Sequence, residues 1–261
     1  MATGAFLGLL QGLFEWLPVS SQGAVTAIAN LVLDRDIDEA IALGLWLHLG
    51  TSMAAAIAFR AEVLELLREA VRRERPRSPR FDFLVLATAA SIVVGLPLVL
   101  TLGNLSSRAG SAAMIAVGVA MLFTGAVQLA SPRHGTHGEK EIGRGDAVLA
   151  GLAQGLATIP GLSRSGLTVA VLLGRGVERE AALRLSFLMS IPAGLGAALI
   201  AGFDSNLLTS TEGLVGAFVA LAVGLVSIRL LLALARHVNF AAFVLLMGAA
   251  IAGGGIWQTL A

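Results

Sequence analysis

Gln11-Gly-Leu-Phe-Glu15-Trp-Leu-Pro18-Val-Ser20-Ser21-Gln-Gly23 interrupts an apolar region that runs from Ala5 to Leu33. A carboxylate, a proline and two adjacent serines at that depth do not continue a plain bilayer-crossing helix. Non-helical backbone inside a membrane has to be buried in protein or line a wet cavity, because its open N–H and C=O groups need partners. A second apolar region, Ala147 to Leu173, is broken in the same manner by Pro160-Gly-Leu-Ser163-Arg164-Ser165-Gly166-Leu-Thr168. Gly8-Leu-Leu-Gln-Gly-Leu13 falls on Gly151-Leu-Ala-Gln-Gly-Leu156, and at the same offset Ser20 meets Ser163 and Gly23 meets Gly166. This self-similarity predicts an internal duplication. The first repeat covers 1–131, with a re-entrant hairpin at 5–33 and three spans. A connecting loop covers 132–146. The second repeat covers 147–261, with a hairpin at 147–173 and three spans.

The rest of the chain is membrane-like. Of 261 residues, 56% are hydrophobic and 13% charged, with a mean hydropathy of +0.85; a soluble domain carries about 25% charged residues. Apolar stretches at 40–59, 83–102, 111–129, 185–201, 213–234 and 240–257 approach the roughly 20 residues a crossing helix needs. The expected fold is an all-α polytopic membrane protein, with six transmembrane helices plus two re-entrant helical hairpins in two inverted-topology repeats. The net charge of +1 supplies no charge-based reason for a nucleic-acid partner. With no cysteine there is no disulfide, thiol nucleophile or cysteine metal site. No basic region precedes the first apolar stretch, and Glu15 lies within it, so a cleaved signal peptide is not expected.

Basic residues set the orientation. If each broken region enters and leaves on one side and the other six segments cross, the arginines of Arg60 to Arg80, with Arg133, Lys140, Arg144, Arg175, Arg179, Arg184 and Arg236, share one face, whereas Arg35 and Arg108 lie on the other. The basic face is therefore expected in the cytoplasm of a cell-membrane protein, with both termini outside. The two hairpins then dip in from opposite sides, as in inverted-repeat transporters. Asp34 to Asp38 is expected as an acidic loop, and Arg60 to Arg80, with Glu62, Glu65, Glu69 and Glu74 interleaved, as an amphipathic helix.

Opposed breaks meeting near mid-membrane predict a polar cavity. Its candidates are Gln11, Glu15, Ser20, Ser21 and Gln22 from one half. The other half offers Gln154, Thr158, Ser163, Arg164, Ser165 and Thr168. Glu15 and Arg164 are charges at membrane depth, a costly placement that marks function; the plainer alternative is that they pair to lock the hairpins. A guanidinium fork matches phosphate oxygens. Serines following a Pro/Gly turn at a helix start present free N–H groups to an anion, although each serine cluster taken alone reads as helix capping. His48, inside a span, reads equally as a satisfied buried histidine or as the edge of the site. His134 and His137 read as a solvated loop rather than a metal site.

The stretch Gln11 to Gly23 resembles the first signature of the undecaprenyl-diphosphate phosphatase family, and Pro160 to Thr168 resembles the second. His48-Leu-Gly-Thr51 and Ser186-Phe-Leu-Met-Ser-Ile-Pro192 are also similar to family segments. The resemblance spans nearly the whole chain. It implies six crossing helices and two re-entrant hairpins, and removal of the terminal phosphate from a polyprenyl diphosphate lipid in the bilayer. By motif, Glu15, Ser21 and Arg164 are the implied catalytic residues. Gln11, His48, Ser20, Ser163, Ser165, Gly166 and Thr168 are the implied substrate contacts. The resemblance is compatible with a divalent ion, Mg2+ or Ca2+, at Glu15 and with a homodimer, and it implies no organic cofactor. One position departs: where the family has histidine after the first signature's glycine, this chain has Ala24, which leaves Glu15 or His48 to take that part. The rival expectation is a polyprenyl-phosphate flippase of the same fold that does not hydrolyse.

Overall fold

The structure, a computed structural model, describes residues 1–72, 77–109, 111–131, 135–237 and 241–260. Its helices are α1 Ala2–Phe14, α2 Ser21–Ala27, α3 Ile37–Ala58, α4 Arg60–Arg72, α5 Pro79–Ala109, α6 Ser111–Ala130, α7 Arg144–Leu156, α8 Arg164–Gly174, α9 Arg179–Asp204, α10 Thr211–His237 and α11 Ala241–Leu260. A π-helical turn, Ile28–Val32, continues α2, and Glu139–Glu141 is a short 3-10 turn. Among the described residues, six helices are long and apolar enough to cross a bilayer: α3, α5, α6, α9, α10 and α11. The chain is a multi-pass membrane protein.

Each expected span falls on one of these helices, apart from Phe59 just past α3 and Phe240, which lies outside the described residues, but four helices begin earlier than the apolar stretch. Asp38 and Glu39, Asp82, Glu180 and Glu212 sit in the first turns of α3, α5, α9 and α10. Hydropathy ignores such residues, yet a carboxylate near the positive end of the helix dipole favours the helical state. The expected acidic loop therefore ends at Asp36, and Ile37 is already helical. The expected amphipathic helix is α4, which has no buried residue. Arg73, Glu74, Arg75, Arg133 and His134 lie outside the described residues, as do the side chains of Arg108 and Arg236.

α3 and α9 are the most buried of the six and pack on each other at the centre. Around them α1 lies against α10 and α7 against α5, while α2 rests on α3 and α8 on α9, and α6 pairs with α11. The α1–α10 and α7–α5 seams are built alike. A Cβ on Gly8 would lie 2.3 Å from the Gly216 carbonyl oxygen, and one on Gly151 would lie 2.3 Å from that of Ala87. One turn later, Gly12 meets Val223 and Gly155 meets Ser91 and Val94. Small residues spaced by four let membrane helices approach to backbone contact, where dispersion replaces the missing hydrophobic drive.

Each broken pair starts and finishes beside the same neighbours. Gly4 near the start of α1 packs on Glu212, and Arg35, after the π turn, ion-pairs with Glu212 at 3.0 Å. Asp146 at the start of α7 is bonded to Arg175, just beyond α8, at 2.7 Å. Basic residues from separate segments gather on the Asp146 side, where Arg80 pairs with Glu139 and Arg184 lies 3.5 Å from Glu62.

Candidate active site

The two breaks meet and satisfy each other's backbone. α1 stops at Phe14, the chain turns through Glu15 to Val19, and Ser20 restarts it as α2. Ser20 is extended, and its Oγ accepts the Gly23 N–H at 3.1 Å. Ser163 repeats this construction for α8, accepting the Gly166 N–H at 3.1 Å. Across the contact, Ser165 Oγ donates to the Leu17 carbonyl at 3.0 Å and Ser20 Oγ to that of Leu162 at 3.4 Å. Thr124 accepts the Ser163 N–H at 3.2 Å, and Gln128 donates to the Pro18 carbonyl. Gly161 allows the approach, with φ at +99° and a position where a Cβ would strike the Val117 carbonyl oxygen. Broken backbone in an apolar setting thus finds the partners it requires.

At this junction Glu15 is buried and holds four groups. Its Oε1 pairs with Arg164 Nη2. Its Oε2 accepts from Gln11 Nε2 at 2.8 Å and from Ser21 Oγ at 2.6 Å, and lies 3.5 Å from His48 Nε2. His48 Nδ1 lies 2.9 Å from the Gly44 carbonyl oxygen. A carbonyl only accepts, so Nδ1 carries a hydrogen, and Nε2 is the nitrogen free to exchange a proton with the Glu15 side of the site. Arg164 also donates from Nη1 to the Ser186 carbonyl at 3.2 Å.

A polar pocket of about 20 Å³ lies here, lined by Glu15, Ser21, Gln22, His48, Arg164 and Ser165 among others. It has room for one water. It adjoins an apolar chamber of about 370 Å³ walled by α3, α5, α7 and α9 through residues such as Leu45, Ile92, Leu96, Val99, Pro192 and Ile200. Gln22, His48, Ala157 and Arg164 line both spaces and so form the neck between them.

From residue 4 to residue 252 the chain matches the family model described as bacitracin resistance protein BacA. The chain belongs to this family. It is similar to the undecaprenyl-diphosphatase of Methanococcoides burtonii, 38% identical over 254 residues that cover 95% of this chain and 96% of that one. It is 40% identical to the undecaprenyl-diphosphatase of Haloarcula marismortui, with 97% of each chain covered. The enzyme of the same name from Methanopyrus kandleri is 36% identical over 94% of this chain and 93% of its own.

In this family member, the residues singled out from the sequence separate into two layers. Gln11, Ser21, His48 and Arg164 converge on the Glu15 carboxylate, and Ser20, Ser163 and Ser165 line the same pocket. Gly166 and Thr168 lie behind it. A Cβ on Gly166 would meet Gln128 Nε2 at 2.7 Å, and Thr168 Oγ1 is shared between the Arg164 carbonyl at 2.8 Å and Ser186 Oγ at 2.6 Å. The capping alternative holds for Ser20 and Ser163, whose oxygens accept helix-start N–H groups. Gln22, a candidate at the break that is not among the implied substrate contacts, stands at the neck. Its adjacency to Ser21 was the available signal. Among the described residues no three His, Asp or Glu side chains converge as a metal site.

Proposed function

We propose that this chain removes the terminal phosphate from an undecaprenyl-type polyprenyl diphosphate, leaving the lipid monophosphate carrier. The observation that carries this reading is the Ser21 hydroxyl bonded at 2.6 Å to a buried carboxylate whose other oxygen is held by Arg164. Ser21 Oγ passes its proton to Glu15 and bonds to the terminal phosphorus. The bond from that phosphorus to the bridging oxygen breaks, and its electron pair leaves with the lipid monophosphate. Water then cleaves the phosphoserine, restoring the hydroxyl and releasing inorganic phosphate. Nucleophile and base within hydrogen-bond reach are the requirement for such a step. Phosphoryl transfer otherwise depends on positioning and on charge stabilisation, which Arg164 supplies at the start of α8. His48, with Nδ1 fixed as a donor, takes the proton from Glu15 through Nε2. It thereby fills the part left open by Ala24.

The polar pocket is too small for a phosphate while Arg164 grips Glu15, so substrate entry moves the guanidinium from carboxylate to phosphate. The isoprene units next to the phosphates lie in the apolar chamber. A divalent ion, Mg2+ or Ca2+, would be held by Glu15, the carboxylate lining the pocket, and would offset charge on the phosphates. Its other ligands would be phosphate oxygens and water, the usual pattern for Mg2+.

We further read 1–131 and 147–261 as inverted repeats whose broken pairs are re-entrant. The matched α1–α10 and α7–α5 seams and the same-side closure of each pair support this. The basic face is cytoplasmic by the same charge argument, in the cell membrane. The flippase alternative gains no observation beyond this two-halves architecture.

The test is phosphate release from undecaprenyl diphosphate by the purified protein in detergent, with Mg2+, Ca2+ or chelator. Release that disappears in both Ser21→Ala and Arg164→Ala supports the phosphatase. Release that survives in Arg164→Ala overturns the site. Intact lipid binding without release by the parent protein overturns the hydrolytic reading.

A further inference from the structure

We propose that Gln22 binds the phosphate that remains on the lipid, and so completes a two-phosphate site. This rests on the diphosphatase reading above. Gln22 is 7% exposed, yet its Nε2 has no hydrogen-bond partner. A buried donor left without a partner costs about 1–3 kcal/mol, and a ligand oxygen at that point recovers it. The location selects the ligand. Gln22 sits at the neck between the polar pocket and the apolar chamber, together with His48, Ala157 and Arg164. Ala157 has no side-chain donor. Arg164 is committed to Glu15 and Ser186, and His48 to Gly44 and the Glu15 side. Of the four, Gln22 is the one with a buried side-chain donor that has no hydrogen-bond partner.

The order of groups along the substrate then matches the order along the cavity. With the terminal phosphate at Ser21 and Arg164 and the chain in the chamber, the proximal phosphate lies at the neck against the Gln22 amide. The stem is held in place: a Cβ on Gly44 would come within 3.4 Å of Gln22 Cγ, so α3 packs closely against this part of α2. A neutral donor suits a phosphate that must be released as product, because it binds without the full attraction of a second cation.

The prediction separates two ligands. Undecaprenyl monophosphate carries its phosphate next to the chain and binds at the neck; inorganic phosphate has no chain to hold it there and binds at Ser21 and Arg164. Gln22→Met keeps length and removes the donor. Its Kd for undecaprenyl monophosphate is expected to rise about 10- to 100-fold, the range for a hydrogen bond to a charged group. Its Kd for inorganic phosphate should stay at the parent value, which also serves as the folding control. Gln22→Glu places an anion at the neck and is expected to weaken the monophosphate further. Unchanged monophosphate affinity in Gln22→Met overturns the proposal. So does a parallel loss for both ligands, which would make Gln22 a residue that shapes the pocket. These are equilibrium measurements on a product, so failure of the Gln22 contact is read separately from failure of the parent protein to hydrolyse the diphosphate, which would overturn the diphosphatase reading.

Discussion

Glu15 has two carboxylate oxygens and four groups competing for them: Arg164, Gln11, Ser21 and His48. Breaking a buried ion pair from one side leaves an uncompensated charge and costs about 3–5 kcal/mol, whereas replacing both charges with neutral groups is often near neutral. Glu15→Gln is therefore expected to lower the melting temperature in detergent more than the Glu15→Gln, Arg164→Met double variant does, while both lose phosphate release. A double variant no more stable than the single would mean that the charges do not depend on each other. For His48, Gln keeps a donor that can reach Gly44 but cannot carry the proton. His48→Gln should cost about 100-fold or more in kcat, the lower bound for a positioned acid–base group. It should also change the shape of the pH–rate profile. A proportionate loss at every pH would assign His48 to packing alone.

Packing of elements makes different demands at similar sequence positions. Gly8 and Gly151 face backbone oxygens of α10 and α5 at distances no Cβ tolerates, and a helix backbone has little freedom to retreat. Gly8→Ala and Gly151→Ala should each destabilise by about 1–3 kcal/mol, the usual cost of overpacking. Gly253, on α11, has nothing within 4 Å of an added Cβ. Gly253→Ala should be neutral or stabilising by up to about 1 kcal/mol, from helix propensity. A thermal-unfolding series in detergent checks all three. At the mouth of the second broken pair, burial works against the Asp146 carboxylate, but bonds from Arg175 and the Gly143 N–H hold its pKa below the usual carboxylate value. A depressed folded-state pKa gives stability that is present above the unfolded value and lost as pH falls through the folded one. Asp146→Asn should thus weaken the protein at neutral pH and matter less as acid protonates the parent. The effect stays within about 1 kcal/mol, because Arg175 is half exposed and its charge is screened.

The whole molecule commits to a topology that can be read from its two faces. Arg68 on α4 belongs to the basic face, and Thr209, between α9 and α10, lies beside the end that carries Glu212. Because the chain has no cysteine, single-cysteine variants need no background removal. Thr209→Cys should react with a membrane-impermeant maleimide on intact cells, and Arg68→Cys only after the membrane is opened. Labelling of both from the same side would undo the inverted arrangement and with it the opposed breaks. At this scale the six apolar helices were legible in sequence, because crossing a bilayer imposes long apolar runs. The chemistry of the site was legible only as a set of residue types. Serine after a Pro/Gly turn is a local signal that marked two helix starts and offered capping, which Ser20 and Ser163 perform, but it did not say that Ser21 would reach Glu15. What the sequence by itself determined is what local forces dictate: apolar helices, their breaks and the polar residues at each break. What only the tertiary structure decided is which of those residues meet. Glu15 and Arg164 are 149 positions apart, and His48 reaches Glu15 from another helix, so their contact depends on helices packed at backbone distance. The unpartnered Gln22 amide emerges the same way, because whether a polar group is satisfied is a property of its neighbours in space and leaves no trace in the order of the chain.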